Sequence, residues 1–230
     1  MARGGGHSGR RRTPSPAKRT PGAKRPASAA RGARTPAPAE PPQPSGPFRL
    51  GVIPGATPGK WVDAWRTRRP NPIELVEVSV AAQLDPVRAG EVDAALVRLP
   101  IDRDGLHAIR LYDEVPVVIM PVESHLSVAD ELIAADLAGE VVIVPDDDVL
   151  GMPLPDGTLA AAFAAPTTTA EAVEIVATGV GVVVVPMSLA RLHHRKDVTY
   201  RPLADGPVSY VALAWLIDDT TEDVEAFVGI

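Results

Sequence analysis

The apolar pattern begins abruptly at Phe48. "FRLGVI" (48–53) is dense enough in apolar residues for a short buried strand. "PGATPGKWVDAWRTRR" then reads as a turn and a helix, with Thr57 as N-cap, Pro58 at the first helical position, and Trp61, Val62 and Trp65 on the inner face. "IELVEV" alternates and predicts a second strand. "SVAAQLDPVRAGEV" predicts a helix from Ser79 that Pro86 kinks or shortens. "VDAALVRLP" is the third strand, and strand–helix–strand–helix–strand with crossovers of this length implies a parallel sheet.

Beyond Pro100 the periodicity is looser. "LYDEVPVVIMPV" reads as one long extended segment, "SVADELIAADLAG" as helical turns and "EVVIVP" as a buried strand. "TTTAEAVEIVATG" is a marked helix: Thr168 and Glu171 have capping-box spacing, and Gly179 suits the position after the helix. "VGVVVVP" predicts a buried strand, "MSLARLHH" a short helix, and "VTYRPL" and "VSYVALAWLI" closing strands. "TTEDVEAFVGI" starts a last helix, and its missing polar ending suggests a truncated C-terminus.

Charge divides the chain in two. Residues 1–47 hold ten Lys or Arg against one acid, Glu40, whereas the remainder holds thirteen basic and twenty-eight acidic residues. The first segment also has ten prolines and no large apolar residue after Met1, so it cannot bury enough surface to offset its chain entropy and is expected to be a disordered basic tail. There is no cysteine, which excludes disulfides and thiolate chemistry. Arg10, Arg11 and Arg12 precede Thr-Pro-Ser-Pro rather than an apolar run, so no secretory signal is read and the expected location is cytoplasmic.

The candidate chemistry is sparse. "TGVGVVVVP" (178–186) invites a nucleotide-binding reading, but its helix precedes Gly179 and its strand follows Gly181, the reverse of a dinucleotide fingerprint. A helix end and a close backbone approach are expected instead. His193 and His194 are adjacent and point apart on a helix, so with Arg195 and Lys196 they suit a cationic helix end better than a metal. Asp146–Asp148 lack the spacing of a calcium loop. Ser188 lacks the glycines of a nucleophile elbow. No catalytic set, cofactor or metal site is expected, and the chain is read as a non-enzyme.

"FRLGVIPGATP", "VSVAAQLDPVRAGEVDAALVRLP", "LYDEVPVVIMPVESHL" and "IVATGVGVVVVPMSLAR", in that order, resemble the substrate-binding (effector-binding) domain of LysR-type transcriptional regulators. The stretches Leu84–Val97 and Val176–Pro186 are the most telling. The resemblance implies an α/β, two-lobed, type 2 periplasmic-binding-protein-like fold with mostly parallel sheets and a small molecule between the lobes. Lobe I would be about 48–113 plus 207–230, and lobe II about 114–206. It also implies a homodimer and a role in transcription regulation. Family members carry a winged helix-turn-helix and a linker helix; residues 1–47 are too short and proline-rich for either, which argues against operator reading through a major-groove helix.

In open sheets, ligands bind where strands end and helices begin. Thr57, Ser79 and Arg98 are therefore expected on one side of an organic-anion effector, with Thr167 and Thr168 on the other; Arg98 would pair with a carboxylate. The alternative reading is a nucleic-acid-associated protein whose tail contacts DNA without sequence preference. That contact would run through Arg10, Arg11, Arg12, Lys18, Arg19, Lys24 and Arg25, with the lobed domain as a partner interface.

Overall fold

The computed structural model describes residues 46–230, and the tail residues named above lie outside them. Two mixed sheets form a two-lobed α/β structure. In the first, β1 (Phe48–Val52), β2 (Ile73–Glu77) and β3 (Ala94–Leu99) are parallel in the order β2-β1-β3, as the strand–helix–strand pattern predicts. The sheet continues through β9 (Ser209–Leu216) to β4 (Leu106–Glu114), both pairings antiparallel. The second sheet has the order β6-β7-β5-β8, from β5 (Pro116–Pro121), β6 (Val142–Ile143), β7 (Val182–Pro186) and β8 (Val198–Pro202). Only its β6–β7 pair is parallel. Across the two sheets three strand pairs are parallel and four antiparallel, and β4 and β5, which abut at Val115, lie in different sheets and do not pair.

The apolar runs are continuous because the central strands are covered on both faces. Val117 and Ile119 of β5 and Val183 and Val185 of β7 pack on α3 (Thr169–Ala177) through Ala172, Val173 and Val176. Val118, Met120, Val182 and Val184 pack the opposite way, on Leu126, Leu132 and Leu137. In the first sheet, α1 (Gly59–Arg68) buries Trp65, which stacks on Phe48 at 4.7 Å between ring centroids. Phe48 stacks in turn at 4.9 Å on Phe227 of α5 (Glu222–Val228).

Several local expectations shift. The predicted helix from Ser79 is a 3₁₀ turn over Val80–Ala82 followed by α2 (Asp85–Arg88), because Pro86 is tolerated only in a helix's first turn. The extended segment of 111–122 is two strands of different sheets, joined at Val115. Thr57 is not the N-cap of α1; Pro58 occupies that position without a side-chain hydrogen bond. At Gly181 the backbone has φ +69°, and a Cβ there would lie 2.1 Å from the Val141 carbonyl oxygen. That is the close approach expected of the Gly-Val-Gly turn.

Candidate functional site

The chain passes from the first sheet to the second at Val115, and a cavity of about 460 Å³ opens beside this crossing. The loop Gly55–Thr57 after β1 forms one wall, and Tyr112 and Glu114 at the end of β4 form the floor. Ser188, Arg191 and Leu192 of α4 (Met187–Leu192) form the opposite wall. The loop and α4 meet closely: Gly55 has φ +82°, and a Cβ on it would lie 2.7 Å from Ser188 Oγ. Only glycine fits this contact without displacing Ser188.

Arg98 organises the site from beneath. It lies on β3, 3% exposed, and its backbone N–H and C=O are both held by the Gln83 side chain at 2.7 and 2.9 Å. One terminal nitrogen donates to Glu114 and, at 2.9 Å, to Ser209 Oγ. The other donates to the Pro54 carbonyl and to Ser188 Oγ, each at 3.2 Å. A single guanidinium thus ties β3, β4 and β9 of the first sheet to α4 beside the second. Glu114 opposes Ser209 across the β4–β9 pair because the register shifts between Arg110 and Tyr112. That bulge re-phases the strand end.

Tyr112 stacks on Trp61 of α1, with centroids 6.3 Å apart. Its hydroxyl is buried without a well-formed hydrogen bond among the described residues, the Thr57 backbone N–H only approaching it, and Arg98 Nε is likewise buried without a partner. Burial foremost, and then the nearby Glu114 charge, push the Tyr112 phenol up from its ordinary range, so it stays protonated and able to donate. Asp113 also lines the cavity, but Arg110 holds it through Nε at 2.8 Å and a terminal nitrogen at 2.5 Å.

Of the five predicted ligand residues, Thr57 lines the cavity and Arg98 lies under its floor. Ser79, Thr167 and Thr168 are not on its walls. Ser79 is exposed before the 3₁₀ turn and makes no capping bond. Thr168 caps α3, accepting from the Glu171 N–H at 3.2 Å, while the Glu171 carboxylate accepts from the Thr167 N–H at 2.8 Å. Tyr112, Glu114 and Arg191, which also line the cavity, are not singled out by the sequence, and Ser188 is weighed there only as a nucleophile. The strand-end rule that selects Arg98 also points to Ser188, which follows β7 directly.

Asp146–Asp148 form a turn, in which Asp148 accepts from the Leu150 and Gly151 N–H groups and Asp147 from Thr169 Oγ1 at 2.8 Å. No group of three or more His, Asp or Glu is placed to hold a metal among the described residues. Among them, too, no helix is long and apolar enough to cross a membrane.

The family model described as LysR substrate binding domain matches residues 42–230. The Hca operon transcriptional activator HcaR of Escherichia coli is 29% identical over 195 residues, covering 79% of this chain and 65% of that protein. The HTH-type transcriptional regulator CatR of Pseudomonas putida is 31% identical over 149 residues, covering 61% of this chain and 51% of that protein. The chain thus spans about half to two thirds of the length of these relatives. Among solved structures, the reduced OxyR regulatory domain of Pseudomonas aeruginosa superposes with a TM-score of 0.63 at 21% identity, covering 81% of this chain and 94% of that one. The BenM effector binding domain with its effector benzoate gives 0.63 at 18% identity, covering 80% and 90%. These likenesses establish the fold, and the matched family is a binding domain rather than a catalytic one.

Proposed function

Because the chain belongs to the LysR substrate-binding-domain family, we propose that it senses a small organic effector, an anion, in the cavity beside its crossing between sheets, as part of transcription regulation in the cytoplasm. The observation that carries this reading is the convergence there of Thr57, Tyr112 and Glu114 from one lobe with Ser188 and Arg191 from the other. A ligand touching both sets binds the closed arrangement better than the open one and so shifts their populations. Arg98 is the residue that holds these walls together.

The test is calorimetry on the full chain with a panel of aromatic and aliphatic carboxylates and amino acids, benzoate included since it is the effector bound to BenM. At least one is expected to bind, and Ser188→Ala or Tyr112→Phe to weaken it; a panel that binds nowhere, or binds these variants unchanged, overturns the assignment.

The charge of residues 1–47 favours a second reading that is compatible with the first. Ten cations against one acid would contact nucleic-acid phosphates without sequence preference. Association as a homodimer is proposed on family grounds alone.

A further inference from the structure

The hydrogen bonds around Arg98 bear on what kind of molecule the cavity accepts. A guanidinium has five N–H donors, and four of those of Arg98 already meet Glu114, Ser209, Pro54 and Ser188. The fifth, on Nε, is buried. A ligand carboxylate that displaced Glu114 from Arg98 would strand a carboxylate that is 5% exposed, and one that displaced Pro54 or Ser188 would meet a cation already neutralised by Glu114. The residue best suited by charge to receive an anion is therefore engaged within the protein.

What remains open inside the cavity is one carboxylate oxygen and two hydroxyls. Arg98 bonds to Glu114 Oε2, while Oε1 receives no hydrogen bond among the described residues. Ser188 Oγ already accepts from Arg98 and keeps its O–H to donate, and the Tyr112 hydroxyl can donate or accept, so both suit a group that is donor and acceptor at once. The cation at the rim is Arg191, exposed and with no acid within ion-pair distance among the described residues. Leu192 and Val115, 55% and 46% exposed, give the walls apolar surface between the two ends.

From this polarity we infer that the effector is a carboxylic acid that also bears an O–H or N–H donor, the donor pointing inward to Glu114 and the carboxylate outward to Arg191. A bare carboxylate leaves Glu114 Oε1 desolvated and unmatched, the situation in which sites built to bond a donor reject its analogue. The inference rests on the cavity being the effector site.

Calorimetry on the full chain with two matched series tests it: benzoate, hydroxybenzoate and aminobenzoate; and propionate, lactate and alanine. In at least one series a donor-bearing member is expected to bind about tenfold or more tighter than its parent, the effect of one hydrogen bond to a charged group. Tyr112→Phe and the isosteric Glu114→Gln should shrink that ratio, whereas Arg191→Ala should weaken every member alike. Should Glu114→Gln fail to fold by circular dichroism, the parent comparison and Tyr112→Phe still decide. Parents that bind as tightly as their donor-bearing partners, or affinity unchanged in Arg191→Ala, overturn the inference and leave the cavity in place as the effector site. Binding that Tyr112→Phe, Ser188→Ala and Arg191→Ala all leave untouched overturns the cavity reading and the inference with it, as does the absence of binding by every member.

Discussion

At Arg98, burial and charge pull in opposite directions. Removing both the guanidinium and the Glu114 carboxylate from water is costly, and their attraction compensates only because Ser209, Pro54 and Ser188 accept the other N–H groups. Arg98→Ala or Glu114→Ala leaves one charge buried alone and is expected to lower stability by about 3–5 kcal/mol. The double change Arg98→Met with Glu114→Leu should recover most of that loss. Urea denaturation of the three variants against the native chain checks both expectations. His193, which closes α4, makes a separate residue-scale prediction. Its partial burial lowers the imidazole pKa, against a smaller opposing effect of Asp147. The unfolded chain therefore binds a proton more readily than the folded one. Stability contributed by neutral His193 is present above the ordinary histidine value of about 6.5 and declines as the pH falls through it. Melting curves between neutral and mildly acidic pH should show this slope, and His193→Gln should reduce it.

Among the elements, α3 and the turn after it give the sharpest expectations. Thr168→Ala removes the cap on the Glu171 N–H and should cost about 1 kcal/mol. Gly181→Ala should cost more. It imposes a left-handed backbone on a residue with a Cβ, about 1–2 kcal/mol, and sets that Cβ against the Val141 carbonyl oxygen. Thermal unfolding of the two variants side by side checks the order. Element identity was legible wherever periodicity and punctuation agreed: α3 has its threonine start and glycine end, and β7 its unbroken valines. It was less legible at Pro86, whose effect on the helix depends on where the first turn begins, and at Val115, where two strands of different sheets abut without a turn signal. A one-residue difference at Pro58 leaves Thr57 on the cavity wall rather than on the helix it was expected to cap.

On the scale of the whole molecule, the basic first segment and the acidic remainder are predicted to act independently. Removing residues 1–45 should leave the denaturation midpoint of the rest unchanged, because that sequence has no large apolar residue after Met1 to contribute to a core. The full chain is expected to shift duplex DNA at low salt and not at high salt, since phosphate contacts release counterions, and the same truncation should abolish that shift. A shift that survives truncation would move DNA binding to the lobed domain.

The order and type of most elements and the glycine turn before β7 follow from the sequence alone, while the two-lobed α/β class was implied by the family resemblance. Apolar spacing and Gly and Pro positions act within a few residues and can be read there. The partners of Arg98 cannot. Glu114, Ser188 and Ser209 stand 16, 90 and 111 residues from it, and they meet it only through the β3–β9–β4 register, the bulge before Tyr112 and the packing of α4 on the loop after β1. Sequence marks Arg98 as a cation at the end of a strand. Tertiary structure gives that cation a buried carboxylate of its own, because pairing across a sheet depends on register, which no short stretch of chain contains.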